Sequence, residues 1–589
     1  MRRLPAIAVA LLLLLPAAAH AYTPREHPLY QDGPNGRYLL DEGWTTSRTR
    51  SGPFRPVSIP NAFNARDYTT KGNRSRVQWY RERFELPAAA GAVGWRIRFE
   101  SVNLRADVWL NGRRLGSHVG AYLPFERPAS GIRRGVNELL VRVDGRPRPD
   151  ALPPAGRSRG WWNYGGILRE VYLRKVPELD LGDPQVVATP GDPAQVTLHA
   201  QVRNTTRRTL RFTPGVVVTE PNGDSVPAQV ATEDVGAGRL TSVTATLQIE
   251  NAVLWNPANP ALYDMKVTIP GGQITTVHFG IRQWSRAPDG QPLLNGRPLA
   301  LRGASFHEDT LARGAALTPS DETTIADELT ALGANFTRQH YPPSPALLEA
   351  FDRLGIVFWE QIPVWRLRGS DLTSHRLGPV VLGQLRQTLL RDRNHASVMA
   401  WSVENEVLRP GPQEARFLGQ VKNVVRTLDP TRYFAVDQSV SPGTRLPSYY
   451  RTLDALGISE YVGWYGSAPV STLRPTLDSV RAQLPGVALF VTEFGAEANR
   501  AGPATTKGTY AFQANWLDQQ LTVIDGTPYL GGALVWLLRD YAVRPGWGGG
   551  NPRPSPPFSK KGLLGLDGRP KPAWTIAKDH FGAVAPAGR

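Results

Sequence analysis

From about residue 285 to the C-terminus, short apolar runs alternate with stretches of helical spacing, and no other feature of the chain restricts its fold as strongly. Residues 320–332 carry apolar positions at Ile325, Leu329 and Leu332 and stop at Gly333, the pattern of an amphipathic helix closed by a glycine. Asn335-Phe336-Thr337-Arg338 follows, then a second helix over 344–354 closed by Gly355, then Ile356-Val357-Phe358-Trp359-Glu360. A third helix is expected over 379–391, leading into residues 397–402, and strand-like runs recur at 433–436, 456–459, 488–492 and 532–537. Seven short apolar runs separated by helices over about 300 residues outline a parallel (β/α)8, or TIM, barrel over 285–589.

Upstream the period is two, not 3.6. Over residues 22–176 short alternating runs at 77–84, 95–100, 106–110, 139–143 and 170–173 are broken by Gly, Pro and Asn, and Asn111-Gly112 marks a tight hairpin turn. This predicts an all-β sandwich of jelly-roll type. Residues 177–284 repeat the style, with strands expected at 195–202, 210–218, 240–249 and 263–269, which fits an immunoglobulin-like sandwich. A chain of 589 residues is too long for one core, so three domains in series are consistent with its length.

Residues 1–21 have the pattern of a secretory leader: Arg2 and Arg3, an apolar stretch over 6–15, and Ala19-His20-Ala21 as a small-x-small cleavage site. The apolar stretch is too short to span a bilayer, and no membrane span is expected elsewhere. The mature protein is therefore expected to begin near Tyr22 and to act outside the cytoplasm. The chain contains no cysteine, which excludes disulfides, thiolate catalysis and Cys-ligated zinc. Its net charge of +17 is scattered arginine with no run and no nucleic-acid-binding signature, so a nucleic-acid partner is not expected. His-Glu-x-x-His and Gly-x-Ser-x-Gly spacings are both missing, and neither a metal nor a cofactor is expected.

In a barrel the C-terminal tips of the strands converge on one face. The carboxylates falling at expected tips are Glu308, Asp309, Glu360, Glu404, Glu406, Asp437 and Glu493, interleaved with Trp359, Trp365, Trp401, Tyr461, Trp464 and Trp536. Aromatic faces stack on the C–H surfaces of sugar rings and carboxylates accept from hydroxyls, so such a pocket suits carbohydrate. Two acids on separate strands are also what cleavage of a glycosidic bond requires. Glu406 in Trp401-Ser402-Val403-Glu404-Asn405-Glu406 and Glu493 in Val491-Thr492-Glu493-Phe494-Gly495 are the leading pair, with Glu404 competing for the acid role.

These runs resemble glycoside hydrolase family 2, the group of β-galactosidases, β-glucuronidases and β-mannosidases. Arg391-Asp392-Arg393-Asn394-His395-Ala396-Ser397 with Asn405-Glu406 resembles the family's acid/base signature, Ala396 standing where Pro is usual. Thr492-Glu493-Phe494-Gly495 is similar to the nucleophile segment, and Tyr461-Val462-Gly463-Trp464-Tyr465 to a loop of the β-glucuronidase branch. Val108-Trp109-Leu110-Asn111-Gly112 and Trp162-Asn163-Tyr164-Gly165-Gly166-Ile167 resemble the family's sugar-binding sandwich, and Arg302-Gly303 with His307-Glu308-Asp309 its barrel entry.

The resemblance implies a secreted retaining exo-β-glycosidase acting on a β-linked sugar, with Glu406 as acid/base, Glu493 as nucleophile and Asn405 on the sugar 2-hydroxyl. It implies substrate-lining positions for Asp309, His340, Tyr461 and Trp536, and leaves a homo-oligomer open. Glu360 and Glu497 are expected to anchor Arg or Lys side chains. Lys561 matches the lysine of an Asn-x-Lys motif that grips a uronate carboxylate, but Ser559 replaces the Asn and Ser459 replaces another. Glucuronide, galactoside and mannoside specificities therefore stay open, as does a catalytically inactive carbohydrate-binding protein. A basic adhesion module driven by charge alone is the remaining rival.

Overall fold

The computed structural model describes residues 21–28, 36–89, 91–155, 160–182, 184–271, 273–547 and 557–584. Apart from Ala21, the expected leader lies outside the described residues.

The first unit packs two antiparallel sheets face to face. A six-stranded sheet runs in the order Arg55–Pro56, Thr45–Ser47, Val77–Glu85, Val136–Asp144, Arg105–Leu110, Arg113–Val119; a four-stranded one runs Arg37–Leu39, Val171–Val176, Gly94–Phe99, Phe125–Pro128. Alternation builds the core directly. Tyr80 and Phe84 point inward from Val77–Glu85 and meet Ile97, Phe99, Val108, Val141 and Val143, all at most 1 % exposed. At the hairpin, Asn111 (φ 50°) and Gly112 (φ 81°) are both left-handed, as a two-residue turn of this hand demands.

In the second unit, Ala194–Asn204 pairs with Gln185–Thr189 and Leu240–Ile249, opposite a sheet of Ser225–Pro227, Gly215–Thr219, Tyr263–Thr268 and Ile274–Phe279. The single strand expected over 210–218 is two strands, Leu210–Phe212 and Gly215–Thr219, in different sheets. Thr213-Pro214 separates them: Pro214 has no N–H for a ladder, and it restricts the residue before it.

The third unit is a closed parallel barrel of eight strands: β1 Leu301–Ala304, β2 Phe336–Arg338, β3 Val357–Gln361, β4 Val398–Asn405, β5 Tyr433–Val440, β6 Ala455–Glu460, β7 Ala488–Phe494 and β8 Leu530–Val535. Its helices begin and end where local chemistry dictates. Thr318 and Asp321 form a reciprocal cap at the start of Pro319–Ala331, and Gly355 (φ 68°) ends Pro345–Leu354 in the left-handed conformation. Strand β1 is only four residues long and buried at every position, so it carries no alternation by which sequence alone reveals it.

The segment of the sandwich around residues 160–169 presses onto the barrel mouth. The Trp162 N–H donates to the Ala542 carbonyl (3.0 Å), and Arg169 Nη2 donates to both oxygens of Glu308 (3.2 and 3.1 Å).

Candidate active site

At the C-terminal mouth lies a cavity of about 510 Å³, lined by Glu406, Glu493, His340, Tyr461, Trp536 and Lys561 together with Trp161, Trp365, Arg366, Tyr465, Trp547 and Ser559. Two strands deliver the acids. Strand β7 carries Glu493 one residue before its end, and Glu406 follows immediately on β4. Glu406 adopts φ 48° while its N–H donates to the Asp437 carbonyl (2.8 Å). That left-handed residue breaks the strand alternation, so Glu406 lines the cavity whereas Glu404, two residues earlier, does not.

The two carboxyls are treated differently by their neighbours. Glu493 accepts from the Tyr461 hydroxyl at Oε1 (2.7 Å) and from Arg338 Nη1 at Oε2 (3.2 Å). Arg338 is fully buried and donates from Nη2 to Asn405 Oδ1 (2.7 Å), so one guanidinium fixes both Glu493 and the residue before Glu406. Asn405, expected on the sugar 2-hydroxyl, is fully buried and does not line the cavity, and its Nδ2 has no hydrogen-bond partner. Burial and the charge of Glu493 push the Glu406 carboxyl up to about 7, against the pull of Arg366 and Arg338. Arg366 Nη1 donates to Glu406 Oε2 at 3.1 Å.

His340 stands between the rings of Trp161 (5.6 Å between centroids) and Trp536 (4.7 Å), with Nε2 3.7 Å from Glu493 Oε2. Burial, helped by Arg338, holds its pKa well below the usual value, so it is a neutral imidazole at the cavity wall. Lys561 Nζ donates to the Tyr465 hydroxyl (2.8 Å), lies 3.9 Å from Glu497 Oε1 and is 5 % exposed. Burial alone lowers a lysine, but Tyr465, Glu497 and Glu493 together outweigh it and hold this ammonium above its ordinary value.

Other residues singled out in the sequence sit elsewhere. Asp309 does not line the cavity: its oxygens accept from the Tyr164 hydroxyl and the Ala542 N–H, both at 2.7 Å, at the seam between sandwich and barrel. Burial raises its pKa to about 7. Glu497 pairs with Lys561 as expected, but both Glu360 oxygens are buried without a hydrogen-bond partner. Three contributors went unrecognised: Trp161 from the sandwich, Arg366, and Arg338 as the bridge between the acids. For Trp161 a signal lies in its neighbour Trp162, the first residue of the sandwich motif Trp162-Asn163-Tyr164-Gly165-Gly166-Ile167. For Arg366 there was none, because its aim depends on its left-handed backbone (φ 52°).

Family models match along the chain in the order of the three units: the sugar-binding domain of glycosyl hydrolases family 2 over residues 43–177, a family 2 domain over 183–282, and the family 2 TIM barrel domain over 286–585. A β-glucuronidase of Bacteroides fragilis is 26 % identical, across 92 % of this chain and 80 % of its own length. A β-galactosidase of Thermoanaerobacter pseudethanolicus is 29 % identical across 64 % of this chain, which spans about half (51 %) of that relative. Among solved structures, a β-galacturonidase of Eisenbergiella tayi superposes with a TM-score of 0.83 at 23 % identity, covering 94 % of this chain and 98 % of the other. The chain belongs to glycosyl hydrolases family 2 and is an enzyme of glycosidic-bond hydrolysis.

Proposed function

We propose that the chain is a secreted, retaining exo-β-glycosidase that releases a terminal β-linked uronic acid. The observation that carries the reaction is the unequal treatment of Glu406 and Glu493 within one cavity. In the first step the Glu406 carboxyl gives its proton to the glycosidic oxygen as that C–O bond breaks, and the Glu493 carboxylate forms an ester bond to the anomeric carbon. In the second, water attacks the same carbon, Glu406 takes the water's proton, and the ester bond breaks to restore Glu493. Tyr461 and Arg338 hold the attacking carboxylate in place. His340 and Trp536, which line the cavity, supply sugar contacts, while Asn405 acts from behind the wall, holding Arg338 through Oδ1.

The sugar assignment rests on Lys561. A buried ammonium that keeps its charge at the wall of a sugar-sized cavity has the Tyr465 hydroxyl and a carboxylate 3.9 Å away as companions, and donors remaining for a uronate. Ser559, in place of the expected Asn, also lines the cavity and adds a hydroxyl there. Hydrolysis of nitrophenyl β-glucuronide, β-galacturonide, β-galactoside and β-mannoside by the native enzyme and Lys561→Ala tests this. A uronide is expected to lead, and its kcat/KM should fall about 10- to 100-fold in the variant, the scale of one charge-assisted hydrogen bond. A preference for galactoside untouched by Lys561→Ala would replace the uronide reading, and no turnover across the panel would favour a binding protein. Export is tested by N-terminal sequencing of the secreted protein, expected to begin near Tyr22; a retained Met1 would contradict it.

A further inference from the structure

Arg366 stands where a cation works against the first chemical step. A general acid must hold its proton when substrate arrives, yet a guanidinium 3.1 Å from Glu406 Oε2 favours the anion. The side chain is not forced there by packing: it is 42 % exposed, against 11 % for Glu406. Its backbone is what is fixed. Arg366 has φ 52° and its N–H donates to the Asn405 carbonyl at 2.9 Å, which aims the side chain into the cavity mouth. The guanidinium lies 5.6 Å from the ring of Trp365, which meets Trp547 edge-on at 5.6 Å.

The two cations of the cavity keep different company. Lys561 stacks against Tyr461 and Tyr465, the former bound to Glu493, and so belongs to the side where the released sugar sits. Arg366 belongs to Glu406, the group that protonates the departing oxygen, so the wall of Arg366, Trp365 and Trp547 faces the leaving group. Trp547, partly exposed, offers stacking surface for a ring beside the buried Trp365, and an exposed guanidinium offers a fork for a carboxylate or sulfate ester.

We propose that Arg366, Trp365 and Trp547 form a leaving-group subsite for an anionic sugar residue, whose acidic group takes Arg366 away from Glu406 as the substrate binds. The substrate class is then an acidic oligosaccharide charged on both sides of the scissile bond. Binding of the correct leaving group removes the cation that opposed protonation of Glu406, so recognition and the protonated fraction of Glu406 rise together. This rests on the glycosidase reading and on Glu406 as the acid.

The test uses one glycone, the best found in the panel above, on three aryl leaving groups of matched acidity carrying a neutral, a carboxylate or a sulfate substituent remote from the bond. In the native enzyme kcat/KM should be at least about tenfold higher for the anionic pair than for the neutral compound, mainly through KM, with the gain shrinking in high salt. Arg366→Gln should reduce the ratio to below about twofold, and Arg366→Lys should retain part of it. The two anionic arms show which acidic group the fork prefers. Turnover of the neutral compound with no anionic advantage, or an advantage that survives Arg366→Gln, overturns the subsite while leaving the glycosidase reading intact. Failure to turn over any of the three overturns both.

Discussion

Glu404 and Glu406 are two residues apart at the end of one barrel strand, yet they face different partners, and the contrast separates an acid pair that opens onto a cavity from one that is sealed. Glu406 opens onto the cavity opposite Glu493, with Arg338, Arg366 and the Tyr461 hydroxyl distributed unevenly between the two. Glu404 is sealed between strands and helices against Glu414, whose oxygens accept from the hydroxyls of Tyr449 (2.8 Å) and Tyr450 (2.7 Å). Burial and the neighbouring Glu414 push the Glu404 carboxyl well above the usual range. A raised pKa is thus common to both places. What the cavity adds is asymmetry: Arg338 and the Tyr461 phenol hold Glu493, Glu406 is pushed toward its protonated form despite Arg366, and both line one space for substrate.

The sharpest break of this comparison is Glu493→Ala. It should cost about 10⁴-fold or more in kcat, the scale on which loss of a nucleophile acts, with the circular-dichroism melting curve little changed. Near-native turnover would place the nucleophile elsewhere. Glu406→Ala should slow substrates with poor leaving groups by about 10²- to 10⁴-fold and activated aryl glycosides far less, because only the former need protonation. Equal slowing would return the acid role to Glu404. A smaller effect concerns pH. Glu406 has its carboxyl raised to about 7 and must be protonated to act, so kcat/KM should fall as pH rises through about 7.

The weakest effect belongs to the sealed pair. A carboxyl whose folded pKa is raised contributes its full stability below the ordinary value of 4.5 and loses it as pH climbs toward the raised value. Glu404→Gln keeps the shape and removes that loss. Its melting temperature should therefore gain on the native protein as pH rises above 4.5, with kcat/KM within about threefold of native. A collapse in kcat would mean that the sealed pair takes part in the chemistry.

Much of this was legible in residues. Apolar runs ending in Glu406 and Glu493 signalled the two strands, and the alternation around Tyr80 and Phe84 signalled the sandwich. What escaped depends on three-dimensional backbone or distant partners. Alternation puts Glu404 and Glu406 on one face, and only the left-handed conformation of Glu406 separates them. Asp309 reads as a strand-end acid, but its partner Tyr164 is 145 residues away in another domain. Trp161 reaches the cavity from the sandwich, and no local pattern in the barrel announces it. Leu301–Ala304, buried on all sides, has neither alternation nor length to mark it as a strand.

The central claim is that Glu493 bonds to the sugar while Glu406 manages protons, and mass spectrometry after reaction with a 2-deoxy-2-fluoro glycosyl fluoride of the preferred sugar addresses it most directly. A single sugar adduct on the peptide containing Glu493, absent from Glu493→Ala and discharged slowly by water, is the expected result. An adduct on Glu404 or Glu406, or turnover with no adduct and an inverted anomeric product, would contradict it.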